Sequence, residues 1–540
     1  PHYMKGLAEA IHTGIAHRAN TLSVYTYTDL TIKICIVMFL LVLDEWYLPL
    51  ILTLLAILLL SLCLQRGQGR GKLPPGPTVW IPLIGNALEL AEEDIRKPLR
   101  RLRKQYGNVY RLYLGTRLSV VICGYEAFKE AFVRRGDEFS HRPSMFITDM
   151  ISQNKGIVCS TGDLWKEHRK FALITLRNFG MGKSVLEERI HKEVLALLSS
   201  VDKQNQQPFD LSAIVHTSTF NVIAALAFGG HFNHGDPRFV KMLAAMNENM
   251  RNLGTSSAVN FFPFLRHLPG DLFKMKKTLQ NVDLVEEYIN EILDKHMEEY
   301  DENKVEDFVS AYIKEMKVQK EQNEATSFTR EQLCKIVGDF FVAGTETTAV
   351  TILWSTLYLI CKPEVQDRMF SEIRNSVGLE RLPSVQDKRE LVYTEAFLLE
   401  IMRHAQVAFL SLPHSVPHDV VFHGYAIPKD TIVLPDMDSV LSDPDVWGDP
   451  EVFRPERFIS KEGSLLKPDE FISFFAGRRN CLGESLARME LLLFVSSLVQ
   501  RFRLLPPEGM TMSVEEYDGQ FGLNHKPKPF QIRAVSRSVS

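Results

Sequence analysis

The spacing of apolar residues changes along the chain and predicts three kinds of structure. Apolar runs dominate up to about residue 64, and the run at 46–64 carries no charged side chain. From residue 125 to about 380, apolar residues recur with helical spacing, broken by clusters of Pro, Gly, Asn and Asp. Short alternating or apolar segments at 109–114, 119–123 and 420–428 indicate strands. The pattern therefore predicts a mainly α fold with a small β portion.

The N-terminal apolar region has the length and flanking charges of a membrane anchor. Its longest uncharged run is about long enough to cross a bilayer as one helix. Basic residues follow that run, and the positive-inside rule places them and everything after them in the cytosol. These are Arg66, Arg70 and Lys72. The predicted segments are 1–30, whose role is open, 31–64 as the anchor with a span at about 46–64, and 65–80 as a basic, Pro-rich hinge. Residues 31–45 could form a second membrane segment or lie in the interface.

Composition bounds the rest of the chain. No linker, repeat or low-complexity tract divides it after residue 80, and 45% of the 540 residues are hydrophobic, so residues 81–540 are predicted to form a single domain with a large core. A net charge of −4 gives no case for nucleic-acid binding. The seven scattered cysteines, with no CxxC pair, argue against a disulfide framework. No GxGxxG run has a strand–turn–helix context, so the chain is not expected to bind NADPH itself.

One cysteine lies in a sequence context that suits a metal ligand. Cys481 follows a loop containing Gly and Arg and precedes a strongly helical stretch, and a helix N-terminus favours a thiolate, which can ligate haem iron. Gly477 permits a sharp bend, and Gly483 permits the close approach of a flat macrocycle. Phe474 could shield the sulfur, and Arg479 could pair with a haem propionate. The alternative is a buried structural cysteine.

The run 474–483 fits the pattern FxxGxRxCxG, and through it the chain resembles the cytochrome P-450 family, the haem-thiolate monooxygenases. From the hinge at 73 to the C-terminus, the order of landmarks is similar to that of microsomal animal enzymes of the family-2 type. The resemblance implies the cytochrome P-450 fold, haem b as the cofactor and Cys481 as its axial ligand. It also implies that Trp165 and Arg169, a WxxxR pair, and His414 bind the propionates. An ordinary amphipathic helix and a satisfied core histidine are the alternatives.

The run 343–348, Ala-Gly-Thr-Glu-Thr-Thr, interrupts a long apolar helix expected from about 331 to 361. Glycine and threonine are unfavourable inside a helix, so their presence at 343–348 needs an explanation. The resemblance implies a locally opened turn beside the iron, where Thr347 hydrogen-bonds dioxygen and Glu346 relays protons. The alternative is a polar kink packed against a neighbouring helix. The side chains expected to line the substrate pocket are Phe340, Phe341, Val342, Ala343, Leu412 and Phe521.

A further predicted group is structural. Glu400 and Arg403 share one helix face, and the resemblance implies that Arg457 completes an ion triad supporting the haem side of the domain. The chain also departs from the family pattern, with Ser473 where Pro is usual and Ser442 where His is usual. Gln153 stands where close relatives often carry a propionate-binding Arg. These departures predict a weaker haem affinity or reliance on other contacts.

The resemblance implies a monooxygenase of the unspecific microsomal type in the endoplasmic reticulum membrane, acting on a fatty acid, steroid or xenobiotic. NADPH-cytochrome P-450 reductase is the expected electron donor, with cytochrome b5 as a further candidate partner. A basic strip of Lys166, Lys170, Arg177 and Arg478 is the expected docking surface, and a solvated basic face is the alternative. Two other functions stay open, namely a haem-thiolate isomerase or dehydratase of lipid peroxides and a membrane-tethered haem sensor. Thr347 and Glu346 argue against the isomerase.

Overall fold

A computed structural model describes residues 71–537, apart from 79–80, 82, 181–183, 231, 233–235, 257 and 323–325, and also residues 52–53 and 55–56. Backbone contacts divide the chain into two units, Pro1–Arg70 and Gly71–Ser540. The predicted anchor lies outside the described residues, except for residues 52–53 and 55–56, which are helical. The expectations for residues 1–45 and for the hinge before residue 71 also fall outside them.

The described part of the second unit is mainly helical with a small β portion, as the sequence predicts. Its α-helices are α1 Arg96–Tyr106, α2 Tyr125–Lys129, α3 Gly136–Phe139, α4 Phe146–Ser152, α5 Gly162–Asn178, α6 Ser184–Asp202, α7 Ser212–Phe228, α8 Pro237–Ser256, α9 Ala258–Phe261, α10 Met275–Glu298, α11 Phe308–Gln322, α12 Arg330–Cys361, α13 Pro363–Ser376, α14 Val392–His404, α15 Asp438–Leu441, α16 Pro444–Trp447 and α17 Glu484–Arg501. A π-helical turn, Glu130–Arg134, follows α2. Short 3₁₀ turns cover Ala87–Leu90, Pro263–His267, Val385–Arg389 and Pro455–Phe458.

The strands are short and belong to four small sheets. They are β1 Val109–Leu114, β2 Arg117–Ile122, β3 His414–Ser415, β4 Val420–Phe422, β5 Tyr425–Ile427, β6 Ile432–Pro435, β7 Phe502–Leu505, β8 Gln520–Phe521, β9 His525–Lys526 and β10 Arg533–Ser536. The largest sheet has the order β1-β2-β6-β3, with β2 and β6 parallel and the other pairs antiparallel. Its register pairs His414 with Val433, which fixes the start of β3 in the sheet.

Helix α12 is the centre of the core. Thr329 caps it by accepting a hydrogen bond from the Gln332 backbone N–H at 3.1 Å. Apolar residues occur on all sides of the helix, and it packs against α7, α10 and α17. A helix that is apolar all round is stable only where other elements cover it. Among the described residues, α12 is long and apolar enough to cross a membrane, but most of its apolar stretch is buried inside the protein.

Glu400, Arg403 and Arg457 form an ion triad in the interior. Both oxygens of Glu400 bind Arg403, at 2.7 Å to Nε and 2.9 Å to Nη2, and Arg457 Nε lies 2.9 Å from Glu400 Oε1. Glu400 and Arg403 have no exposed side-chain surface. The arginines also donate to backbone carbonyls, including those of Leu441 and Trp447. Because every charge has several partners, the triad ties α14 to the segment that precedes the cysteine loop.

Candidate active site

The loop before α17 places Cys481 three residues ahead of the helix. The Cys481 backbone N–H donates to the Phe474 carbonyl at 2.9 Å, which closes the loop on itself. Gly477 lies at φ +81°, and a Cβ there would approach the carbonyl oxygen of Phe132 to 1.8 Å. Only glycine fits this contact. A Cβ on Gly483 would meet no atom within 4 Å, so the backbone beside the sulfur is accessible.

Cys481 is exposed, and its acid–base behaviour differs from the sequence expectation. The protein around the sulfur desolvates the thiolate and raises the pKa of the thiol above its ordinary value. The Gly483 backbone N–H and the charge of Arg169 act in the opposite direction but do not outweigh desolvation. A positively charged partner at the sulfur would lower the pKa and stabilise the thiolate.

Trp165 on α5 lies between two arginines. The Arg479 guanidinium lies 3.8 Å from the centre of the Trp165 ring, and that of Arg169 lies 6.0 Å from it. Arg169 Nη2 donates to the carbonyl and the side-chain oxygen of Asn480, at 2.5 and 2.8 Å, so α5 is bonded to the residue before Cys481. Trp165 is buried, and its indole N–H has no partner among the described residues.

Arg479 is buried and binds the backbone of two neighbouring segments. It donates to the carbonyls of Ser140 (2.8 Å), Ile157 (3.1 Å) and Ser160 (2.7 Å). Burial and the nearby charges of Arg142 and Arg169 lower the pKa of Arg479 to about 8. These carbonyl contacts were not predicted from the sequence. They leave two guanidinium N–H groups of Arg479 available for another acceptor.

His414 begins β3 and is almost fully buried. Its Nδ1 lies 2.5 Å from the carbonyl of Phe139, and its Nε2 has no partner among the described residues. Burial and the charges of Arg142 and Arg479 lower the pKa of His414 well below its ordinary value. The buried ring therefore has one nitrogen, Nε2, without a hydrogen-bond partner among the described residues. Because Nδ1 donates to the Phe139 carbonyl, Nε2 can donate to a carboxylate only when the ring is doubly protonated.

Arg142, which the sequence analysis missed, lies in the same cluster as Arg169, Arg479 and His414. Burial lowers the pKa of each of the four groups. In the described part of the chain, none of them forms an ion pair with Asp or Glu. Clustered cations without counter-charges are costly inside a protein. A ligand that brings carboxylates into this cluster, as haem b does with its two propionates, fits these residues.

Helix α12 is α-helical without interruption through the run 343–348. The opened turn expected there is therefore absent, and Thr347 Oγ1 instead donates to the Ala343 carbonyl at 2.7 Å. This bond satisfies the hydroxyl within the helix while its backbone stays regular. Ala343 is exposed and Thr347 half-buried, one turn apart on the same helix face.

Glu346 faces away from that accessible stripe and into an ionic contact. His216 Nε2 of α7 lies 2.9 Å from Glu346 Oε2, and Lys526 Nζ of β9 lies 3.7 Å from Oε1. His216 Nδ1 lies 2.7 Å from the Ser212 carbonyl, so the ring donates to both acceptors only when doubly protonated. Burial acts to raise the pKa of Glu346, but His216 and Lys526 outweigh it and hold the pKa below its ordinary value.

The predicted pocket residues occupy different environments. Phe341 is fully buried and stacks on Phe220 at 4.3 Å, and Phe340 packs edge to face on Phe308 at 4.8 Å. Val342 is 39% exposed and borders a small cavity with Phe341 and residues of α8. Leu412 and Phe521 are half-buried, and Phe521 stacks on His525 at 4.5 Å. The structure therefore leaves Val342, Ala343, Leu412 and Phe521 accessible and uses the two phenylalanines of α12 mainly for packing.

Comparison with known proteins shows the family of the chain. The family model described as Cytochrome P450 matches residues 74–534, which is most of the chain. The chain belongs to the cytochrome P450 family. It is accordingly a monooxygenase, and the cofactor of this family is haem b. The FxxGxRxCxG run and the WxxxR pair both lie inside the matched region.

Its similarity to individual P450 enzymes extends over most of their length. The chain is 42% identical to cytochrome P450 2C16 of Oryctolagus cuniculus over 458 residues, which are 84% of this chain and 92% of that protein. It is 40% identical to cytochrome P450 2C3 of the same species over 453 residues, 83% and 91% of the two chains. It is also 40% identical to cytochrome P450 2C41 of Canis lupus familiaris over 486 residues, 89% and 98% of the two chains.

Proposed function

We propose that this P450 inserts one oxygen atom from O₂ into a lipophilic substrate, a fatty acid, steroid or xenobiotic. NADPH-cytochrome P-450 reductase supplies the electrons, and cytochrome b5 is a second candidate donor. The observation that carries the proposal is the position of an accessible cysteine, Cys481, beside a cluster of cations without carboxylate partners. Helix α12 carries the accessible apolar residues Val342 and Ala343, and its Thr347 offers a hydroxyl.

The residues proposed to hold haem come from the cysteine loop, α5 and β3. Cys481 would ligate the iron, Arg169, Arg479 and Trp165 would donate to the propionates, and His414 would do so through Nε2 in its doubly protonated form. Gly477 and Phe474 fix the loop, and Gly483 leaves room beside the sulfur. When bound, haem supplies the iron at which dioxygen is reduced and the electron-donating thiolate bond that assists O–O cleavage.

The chain's own contribution to chemistry is proton handling and exclusion of water. Thr347 holds a hydroxyl proton on the accessible face of α12. Glu346 is the next acid along the helix, and the bonds from His216 and Lys526 keep it ionised and turned toward α7. For Glu346 to pass a proton toward Thr347, its side chain must exchange this contact for water on the Thr347 side.

The electron donor is proposed to dock on the basic strip. Lys166, Lys170, Arg177 and Arg478 are exposed. Two of them have exposed acidic neighbours, since Lys166 Nζ lies 3.2 Å from Asp163 and Arg478 Nη2 lies 2.5 Å from Asp137. Exposed pairs of this kind are weak, so an acidic partner can compete for both cations. An N-terminal anchor in the endoplasmic reticulum membrane completes the proposal and places this surface in the cytosol.

The proposal is tested by the spectrum of reduced, CO-bound protein and by turnover. We expect the long-wavelength Soret band typical of thiolate ligation, lost in Cys481→Ser and retained in Cys361→Ser, a matched thiol at the end of α12. Reductase-dependent NADPH consumption with an oxygenated product then identifies the monooxygenase. Product from a lipid peroxide without any electron donor would indicate the isomerase instead. A bound haem without turnover of either kind would indicate a sensor.

A further inference from the structure

Lys526 of β9 places a cation with free donors beside Glu346. Its Nζ lies 3.7 Å from Glu346 Oε1, and it makes no hydrogen bond to a described residue, although the side chain is half-buried. The other oxygen of that carboxylate is already bonded, since His216 Nε2 lies 2.9 Å from Oε2. The N–H groups of Lys526 are therefore available to a further acceptor.

Arg251 of α8 adds a second cation near the same carboxylate. It is exposed and forms no ion pair with a described residue, and its charge helps to hold the pKa of Glu346 low. Its charge also acts on Glu248, one turn earlier on α8. Glu248 has partners of its own, however, because it accepts from Asn281 at 2.9 Å and lies 3.5 Å from Lys277 Nζ.

The charges around Glu346 do not cancel. The carboxylates are Glu248 and Glu346, and the cations are Arg251, Lys277 and Lys526. One positive charge is therefore in excess even when His216 is neutral. Lys526 is the cation beside Glu346 that is half-buried, and an anion is attracted more strongly at such a position than in open water.

Apolar side chains line a small cavity next to these charges. Leu243, Met246 and Met250 of α8 and Phe341 and Val342 of α12 supply its apolar lining, and Glu346 also borders it. A ligand that suits this arrangement has an apolar body and one negative charge. A cationic lipophile would meet the excess positive charge and be disfavoured.

We propose that Lys526 is a specificity-determining residue, which donates from Nζ to the carboxylate of a fatty acid or a similar lipophilic acid, with Arg251 adding to the attraction. This inference rests on the proposed function and narrows its substrate class from lipophiles in general to lipophilic carboxylates. The competing explanation is that Lys526 only neutralises Glu346.

The two explanations separate with laurate and methyl laurate, which share a hydrocarbon chain and differ in charge. Their binding to haem-loaded, detergent-solubilised full-length protein is measured by isothermal calorimetry and by the shift of the Soret band. Because partition into detergent is the same for variant and parent, the ratio of their dissociation constants is compared for each ligand. We expect Lys526→Met to weaken laurate binding about tenfold or more, as for a lost charge-assisted hydrogen bond. Methyl laurate binding should change by less than about twofold.

Glu346→Gln shifts the charge in the opposite direction. It removes the carboxylate that competes for Lys526, so laurate binding should strengthen about threefold while methyl laurate binding stays unchanged. Neutralisation of Glu346 as the sole role of Lys526 predicts no such difference between the two ligands.

Three further variants complete the design. Lys528→Met is the matched control, because Lys528 is exposed two positions further along the chain and donates to the Glu516 carbonyl at 3.3 Å. It should leave both dissociation constants unchanged. Lys526→Arg keeps the charge and should bind laurate within about threefold of the parent. If Lys526→Met does not fold, Lys526→Gln takes its place in the same comparison.

Equal weakening of laurate and methyl laurate binding in the Lys526 variant would overturn the inference and leave the neutralising role. Unchanged laurate binding in that variant, or weaker laurate binding in Glu346→Gln, would overturn it as well. Failure of the proposed function looks different, because a parent chain without the thiolate-type Soret band, or without an oxygenated product from any lipophile, fails before the variants are compared.

Discussion

Asp339 and Arg479 bind the same peptide segment from opposite sides. Asp339 Oδ2 on α12 accepts the backbone N–H groups of Ile157 (2.6 Å) and Val158 (3.0 Å), while Arg479 Nη1 in the cysteine loop donates to the Ile157 carbonyl at 3.1 Å. Residues 156–160 therefore connect the helix that carries Thr347 to the loop that carries Cys481. Their conformation couples the two faces of the proposed haem site.

Gly156→Ala should disturb this connection. Gly156 lies at φ +79°, and a Cβ there would approach Asp339 Oδ2 to 2.4 Å. We expect a loss of about 2–3 kcal/mol in unfolding free energy, measured from the urea midpoint by circular dichroism. The control is Gly162→Ala, at φ +66° with no atom within 4 Å of the added Cβ. It should cost only about 1 kcal/mol of backbone strain. Equal costs for the two variants would contradict a special role for the Asp339 contact.

Glu400→Gln tests the buried triad. Arg403 and Arg457 both bind the Glu400 carboxylate. Removing its charge leaves the buried Arg403 without a counter-charge and leaves Arg457 with only the exposed carboxylate of Asp449, 3.2 Å from its Nη2. We expect destabilisation of about 3–5 kcal/mol or failure to accumulate folded protein, measured by thermal unfolding. Glu299→Gln removes one partner of the exposed Lys295–Glu299 pair at 3.9 Å and should cost about 0.5 kcal/mol or less. A Glu400 variant as stable as this control would rule out the structural assignment.

Thr347→Ala tests whether the Thr347 hydroxyl takes part in the reaction. If Thr347 supplies a proton to the reaction, its loss should divert electrons from product to reduced oxygen. We expect product formed per NADPH to fall about tenfold or more, with NADPH consumption largely retained. Thr217→Ala is the control, since Thr217 Oγ1 also donates to the carbonyl four residues earlier, that of Ala213, at 2.9 Å. Unchanged coupling in the Thr347 variant would remove the residue from the mechanism.

The Glu346–His216 contact should make stability depend on acidity. The folded protein holds the pKa of Glu346 below its ordinary value of 4.5. The ionised form therefore stabilises the folded state above pH 4.5, and this stabilisation is lost as the pH falls through the folded-state pKa. Glu346→Gln should flatten that part of the stability profile.

At neutral pH, the same variant removes the carboxylate that contacts His216 Nε2, at a cost of about 1–3 kcal/mol. Urea midpoints between pH 3.5 and 7.5 measure both effects. A parallel profile for the variant and the parent protein would argue against the ionic contact.

The sequence predicted the parts of the site that depend on local spacing. The cysteine loop, the WxxxR pair on α5 and the Glu400–Arg403 pair each follow from residues a few positions apart. The mainly α fold followed from helical periodicity. These features could be predicted because residues close together along a helix or loop also lie close together in space.

The features that were missed or wrong depend on partners far along the chain. Arg142 donates to the carbonyls of Val158, Leu412 and Pro413, and Asp339 accepts from the backbone N–H groups at 157–158. No periodicity in the sequence pairs these segments. His216 lies in α7 and contacts Glu346 across 130 positions, and the sequence analysis did not pair them. The expected opened turn at Thr347 was wrong because the hydroxyl bonds the helix carbonyl and leaves the backbone regular.

The contact between Gly477 and Phe132 has a consequence for how this P450 can vary. The loop that bears the sulfur rests on a backbone oxygen from a π-helical turn more than 340 positions earlier, with no side chain between them. An insertion or deletion in 124–139 would therefore displace the Cys481 thiol as surely as a change in the loop itself. Variant libraries aimed at substrate preference should leave that distant turn unchanged. They should vary the accessible pocket residues Val342, Ala343, Leu412 and Phe521 instead.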